Sequence, residues 1–258
     1  MTQTIPPSAS AQDLIAQGFA ALGREAYEEA AQFARAGLAR APGDPGAMTL
    51  LGRLAMAASR PDVALEIFTN LAQPGAPAVI WLDLARAQLD LRREERALET
   101  AQYAVELAPG SAAGWFLIGE IATMLNRMED AVHALRRVLE LAPNDTDAFP
   151  RLCRIASVTD DEVAQAERKL AIPRLAPVHA ANLHYGLASV YKRRKEPKKY
   201  IAHLLGANAA QRAAFTGVLP DLKAANERLV SIFSKEAFAR AAQAIPMQPT
   251  PIFIIGMP

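Results

Sequence analysis

The sequence has only one cysteine, Cys153, in 258 residues. No intramolecular disulfide can form, and no thiolate cage can hold a metal. The surrounding RLCRIA reads as a helix face, so Cys153 is expected to be a small buried hydrophobe, not a reactive thiol. Histidine is scarce too: His133, His179, His184 and His203 form no spaced pair with a carboxylate cluster, so no metal ligand is expected. No Ser-His-Asp arrangement or defensible carboxylate pair is present, and no catalytic residue is expected. Neither sign of charge dominates, with 28 Lys+Arg against 27 Asp+Glu. Nothing there argues for a nucleic acid or a membrane surface as partner. No apolar run approaches the roughly 18 residues a membrane span requires. The start, MTQTIPPSASAQ, lacks a basic n-region and an apolar h-region, so no signal peptide is expected and the cytoplasm is the simplest location.

What the chain does have is apolar content and periodicity. Hydrophobic residues make up 51% of it, enough to bury the core of one large or two modest domains. Ala30, Ala64, Ala97 and Ala131 recur at spacings of 34, 33 and 34. Gly18, Gly52, Ala85 and Gly119 form a column of small residues in the same step. Trp81 and Trp115 are 34 apart, and Pro42, Pro109 and Pro143 close three of the units. A fixed period of this length is the mark of a repeat array.

The order of residues within one unit is Trp115, Ile118, Gly119, Ala131, Pro143. This resembles the tetratricopeptide (TPR) repeat, a helix–turn–helix unit. The resemblance implies an all-α fold: a right-handed α–α superhelix of about five to six helix pairs, with further C-terminal helices. Small residues at the Gly52 and Ala64 columns let paired helices approach. Leu51, Phe68, Trp81 and Leu84 fill the space beside them. Terminal prolines stop the second helices, and Pro61 stands at a first-turn position that tolerates it.

The period weakens after Pro143. TDAFPRLCRIA continues as a first helix, with Phe149 and Leu152 in register. Thr159 and Glu162 have capping-box spacing, which starts the next helix early and makes this repeat short. A sixth repeat follows the Pro173–Pro177 linker, with Leu187, Ala188 and Tyr191 in the repeat columns. Tyr200 replaces the usual alanine, so this pair is expected to pack more openly. Residues 11–215 thus read as the repeat domain. Residues 216–250 read as connecting helices, carried by Leu222, Leu229, Ile232, Phe233 and Phe238, and a proline-rich linker. Residues 251–258 read as a strand.

Such a solenoid offers its concave face, lined by the first helix of each pair, to a protein or peptide. Arg53, Arg86 and Glu120 occupy equivalent places in successive repeats and are expected in that groove, with Phe116 and Met124 nearby. The arginines either bind acidic groups of a partner or are simply solvated. The run KRRKEPKK, residues 192–199, includes Lys192 and Arg193. It is either a solvated turn or a patch for an anionic partner.

The last residues, PIFIIGMP, differ from everything before them. Ile252 to Ile255 read as a strand buried on both faces, and a strand running into Gly256 is how phosphate-binding loops begin. Together with the repeats and the segment around His203, Leu204 and Asn208, this tail resembles the N-terminal part of bacterial TPR-containing sulfotransferases. In that family PIFIVGMP leads into an Arg-Ser-Gly-Thr loop that holds the 5′-phosphate of the sulfate donor PAPS. The basic run at 192–199 departs from the family. The resemblance implies a TPR region in front of a missing sulfotransferase domain, serving substrate presentation or a homodimer. Only Gly256 and Pro258 map onto the donor motif, so this chain is expected to hold no cofactor and to lack sulfotransferase activity. The alternative is a stand-alone TPR adaptor that binds a peptide or protein.

Overall fold

The computed structural model describes residues 9–215 and, beyond them, Glu227 alone. The strand expected at 251–258, with Gly256 and Pro258, lies outside the described residues, as do the connecting helices apart from Glu227. The chain divides into two compact units, Met1–Ala214 and Phe215–Pro258.

Among the described residues there are twelve helices and no strands, as the repeat pattern predicts. The first four repeats pair α1 (Ala11–Gly23) with α2 (Tyr27–Arg40), α3 (Pro45–Ala57) with α4 (Pro61–Leu71), α5 (Ala78–Asp90) with α6 (Glu94–Leu107), and α7 (Ala112–Met124) with α8 (Met128–Leu141). Then come α9 (Ala148–Ile155), α10 (Asp160–Leu170), α11 (Pro177–Arg193) and α12 (Pro197–Ala214). Consecutive helices pack on one another, except α9 and α10. Odd-numbered helices also pack on the next odd-numbered helix, α1 on α3, α3 on α5, α5 on α7 and α9 on α11, whereas even-numbered helices do not do so comparably. The odd-numbered helices therefore form the tighter, inner face.

Local chemistry explains the helix ends. Ser10 caps α1 and Thr159 caps α10 in reciprocal boxes with Asp13 and Glu162. Asp44 and Ser111 cap α3 and α7. In five repeats the turn between paired helices passes through one residue of positive φ: Glu25 (60°), Ser59 (56°), Arg92 (58°), Asn126 (58°) and Lys195 (58°). The next backbone N–H reaches back over the turn, as Arg60 does to Ala55 (2.8 Å) and Arg127 to Ala122 (2.8 Å). This left-handed closure satisfies carbonyls that would otherwise be orphaned.

The core follows the repeat columns. Gly52 lies under the fully buried Phe68 ring, so close that a Cβ there would stand 2.6 Å from Cζ. Gly119 sits likewise 3.0 Å from Leu135 Cγ. In the third repeat the pattern changes in compensation: Ala85 takes the glycine position, and Ala101 stands in place of Phe68.

The fifth repeat is short, as the early Thr159 cap predicts. Its helices α9 and α10 lack the left-handed closure, and α9 packs against α8 and α11 instead. α10 is held by polar tethers beside its buried Val163 and Ala166. Arg136 Nε donates to Glu162 at 3.0 Å, the Tyr191 hydroxyl to Glu167 at 2.6 Å, and the Lys169 ammonium to the Asp145 carbonyl at 2.6 Å.

The last pair corrects one expectation. Tyr200 does not splay α11 from α12. It packs half-buried against the core formed by α9, α10 and α11. Close approach moves one turn and more along α12 to Gly206, where a Cβ would lie 2.7 Å from the His184 ring, and to the fully buried Ala207.

Candidate functional site

The repeat period places one side chain per odd-numbered helix just after the small-residue column: Phe19, Arg53, Arg86, Glu120, Arg154 and Ser189. Because the period matches the helical stacking, these side chains form a row along the inner face. Most of the row is internally bonded. Arg53 Cζ lies 5.6 Å over the Phe19 ring, and its Nε donates to Asp83 at 2.9 Å. Arg86 donates to Glu120 at 3.0 Å. Arg151 lies 3.9 Å from the other oxygen of Glu120, with its guanidinium 4.8 Å over the Phe116 ring.

This arrangement changes the expectation for Arg53 and Arg86. They face the inner side, but each already holds a carboxylate from the next odd-numbered helix. Burial raises the Asp83 pKa against the opposing pull of Arg53. The Arg53–Asp83 pair therefore loses much of its Coulombic gain to desolvation and serves mainly to set the register of α3 on α5. Glu120 and Phe116 are consumed in the same way, as acceptor and platform. Met124 remains exposed.

The basic run resolves into several roles. Arg193, though exposed, bonds back onto the fold. It donates to the carbonyls of Cys153 and Ala156 at the end of α9, the latter at 3.0 Å. Arg194 lies 2.8 Å from Asp160 at the start of α10. Lys199 pairs with Glu196 at 2.8 Å and lies 4.8 Å over the Tyr191 ring. Lys192, Lys195 and Lys198 are exposed. Structural bonding absorbs half of what the sequence presents as a continuous patch.

Sequence reasoning missed a second constellation, between α11 and α12. His184 Nδ1 and His203 Nδ1 are 3.0 Å apart, and the Tyr191 ring stacks on His203 at 5.3 Å and 16°. One nitrogen must donate and the other accept, so at least one imidazole is neutral. Burial pulls both pKa values down, and the neighbouring His184 adds to the effect on His203. Burial and its bond to Glu167 push Tyr191 up to about 12. A 19-residue separation across a turn gives no sequence signal for this pair.

Cys153 is fully buried, and burial pushes its thiol up to about 12, so the thiolate needed for reactivity is suppressed. Among the described residues no group of three or more His, Cys, Asp or Glu could hold a metal, and no helix is long and apolar enough to cross a membrane.

Residues 112–145, which are α7, α8 and the following turn, match the tetratricopeptide repeat family model. Among solved structures the chain is similar to pilF of Pseudomonas aeruginosa, at 15% identity over 90% of this chain and 97% of that one, with a TM-score of 0.60. It is also similar to the Cut9–Hcn1 hetero-tetramer of the APC/C, at 18% identity over 78% of this chain and 40% of that one, with a TM-score of 0.58. A thermophilic TPR protein of Thermus thermophilus matches at 19% identity over 76% and 100%, with a TM-score of 0.54. No curated protein matches the chain. The fold is the TPR-type solenoid.

Proposed function

We propose that the chain is a protein-interaction module that holds an extended peptide or a helix of a partner along its inner, odd-helix face. The observation that carries this is the row of side chains from Phe19 to Arg154, one per helix at the repeat period. It gives the face a regular polar and aromatic relief with the exposed Met124 beside it. A face whose features repeat with the helices suits a ligand that runs along them. The Cut9–Hcn1 hetero-tetramer, an assembly on a similar fold, is in keeping with such a role.

The test is selection of peptides from a random displayed library against the 258-residue chain. Selected peptides should lose affinity when Met124→Glu alters the inner face and keep it when Arg96→Glu alters α6. A library that yields no binder, or binders indifferent to Met124→Glu, would refute the proposal.

The tail favours a second function. Ile252 to Ile255 followed by Gly256 would make this region the N-terminal part of a PAPS-dependent sulfotransferase, with the repeats presenting the acceptor. The comparisons support the interaction module and add nothing to this alternative. Codons for Arg-Ser-Gly-Thr directly after Pro258 would support it, and micromolar PAPS binding by these 258 residues would contradict the expectation that Gly256 and Pro258 alone cannot hold the donor.

A further inference from the structure

Two arginines of the row are each answered by an acid on the next odd-numbered helix, and a third is not. Arg53 is answered by Asp83, two residues before the small column of the next odd helix. Arg86 is answered by Glu120, one residue after that column. Arg154 stands in the same column as Arg53 and Arg86, on α9. On the next odd helix, α11, the two answering positions hold Gly186 and Ser189. Neither carries a carboxylate. Arg154 is exposed, and no bond or ion pair joins it to another described residue.

Where the missing acid would stand there is a pocket of about 290 Å³ between α9 and α11, lined by Arg151, Arg154, Tyr185, Gly186 and Ser189 among others. Its floor is fixed. Gly186 lets α11 come so close that a Cβ there would meet Phe149 at 3.0 Å and Pro150 at 3.1 Å. The other polar groups at its rim are already satisfied. The Asn182 amide donates to Asp147 at 2.7 Å, the Tyr185 hydroxyl to Asn208 at 3.1 Å, and the Ser189 hydroxyl to the Tyr185 carbonyl at 3.0 Å. Arg151 leans toward Glu120 at 3.9 Å, too far for a tight bond, and its guanidinium borders the same pocket. Asp147, the one acid in the lining, accepts from Asn182 and stands against two arginines, Arg151 and Arg154. The lining is therefore net cationic, and Arg154 has no carboxylate partner among the described residues.

We propose that this pocket is a carboxylate site, and that the acid it takes is a glutamate or aspartate side chain of the peptide lying along the inner face. The bound acid would replace the rung that Gly186 and Ser189 omit, with Arg154 as the principal donor and Arg151 as the second. Bidentate guanidinium–carboxylate geometry fits a site of this size, and the cavity excludes some water from it. This inference rests on the interaction-module proposal and names the chemistry of its ligand.

The probe is a fluorescein-labelled peptide of eight glutamates, with eight glutamines as the neutral control and free glutarate as the small-molecule arm. The glutamate peptide should bind, and binding should weaken as salt rises. Arg154→Gln should weaken it by about tenfold or more. Ser189→Glu should do the same by supplying the missing rung from within, with a melting temperature at or above that of the unaltered chain. Equal binding to both variants, or none to the unaltered chain, would overturn the assignment. If glutarate matched the peptide, the site would be one for free dicarboxylates and the peptide assignment would fall. Library-selected peptides that depend on Met124 but ignore Arg154 would overturn this site and leave the interaction module standing.

Discussion

Arg193, near the end of α11, donates a 3.0 Å hydrogen bond to the carbonyl of Ala156, the residue that ends α9. The same guanidinium reaches the Cys153 carbonyl, and Arg136 from α8 reaches the Ser157 carbonyl at 3.3 Å. In other repeats the left-handed turn closes over the end of the first helix. In the fifth repeat two arginines supply the donors instead. Arg193→Met should therefore lower stability by about 1–3 kcal/mol, because it leaves carbonyls unpaired that a charged donor now satisfies. Chemical denaturation measures this. Arg193→Lys should recover only part of the loss, since a compact, strongly hydrated ammonium lacks the planar fork that spans the two carbonyls.

The turns of the intact repeats give the opposite sign. Ser59 and Arg92 hold positive φ of 56° and 58° without being glycine. A side chain there costs about 1–2 kcal/mol, and a glycine is the residue this closure prefers. Ser59→Gly and Arg92→Gly should each raise stability by about 1 kcal/mol, less the entropy that glycine adds to the unfolded chain. Thermal melts of the two variants check this.

Trp81 and Trp115 occupy the same column, but only one has a hydrogen-bond partner. Trp115 Nε1 donates to the Pro109 carbonyl at 3.0 Å. Trp81 Nε1 is buried with no partner among the described residues, its ring edge-on to Tyr103 at 4.7 Å. Trp115→Phe should cost about 1 kcal/mol more than Trp81→Phe, because it alone breaks a satisfied bond. Paired urea titrations give the difference directly.

The His184–His203 contact sets a pH dependence. Burial lowers both imidazole pKa values in the fold, so below the ordinary value near 6.5 the unfolded chain binds protons that the folded chain refuses. Stability is then complete above pH 6.5 and falls as pH drops below it. Groups around the pair pull both ways on His203: Glu167 on α10 favours its charge, and Lys199 on α12 opposes it. The melting temperature should fall between pH 7 and pH 5, and His203→Gln should flatten that slope. An equal slope in the variant would assign the dependence elsewhere.

Much of this architecture is legible from local rules. Thr159 and Glu162 announce their capping box because the cap needs only residues three apart. Gly52 announces a close approach because the column recurs. Most of the left-handed turns are hidden because Glu25, Ser59, Arg92 and Lys195 give no sign of positive φ, whereas Asn126 is a residue that favours it. The bonding of Arg193 is hidden because its acceptors lie 37 and 40 residues earlier, at the end of the short repeat's first helix. Arg53 and Arg86 share a column, but their acids stand in two different columns, before and after the small residue respectively. The candidate pocket became visible once those acids were assigned, because it lies where the next one is missing.

The most direct test of the central claim is hydrogen–deuterium exchange of the chain with and without a library-selected peptide. The inner-face account predicts slowed exchange along the odd-numbered helices, strongest in α9 and α11 around Arg154 and Gly186. Protection confined to the even-numbered helices would contradict it.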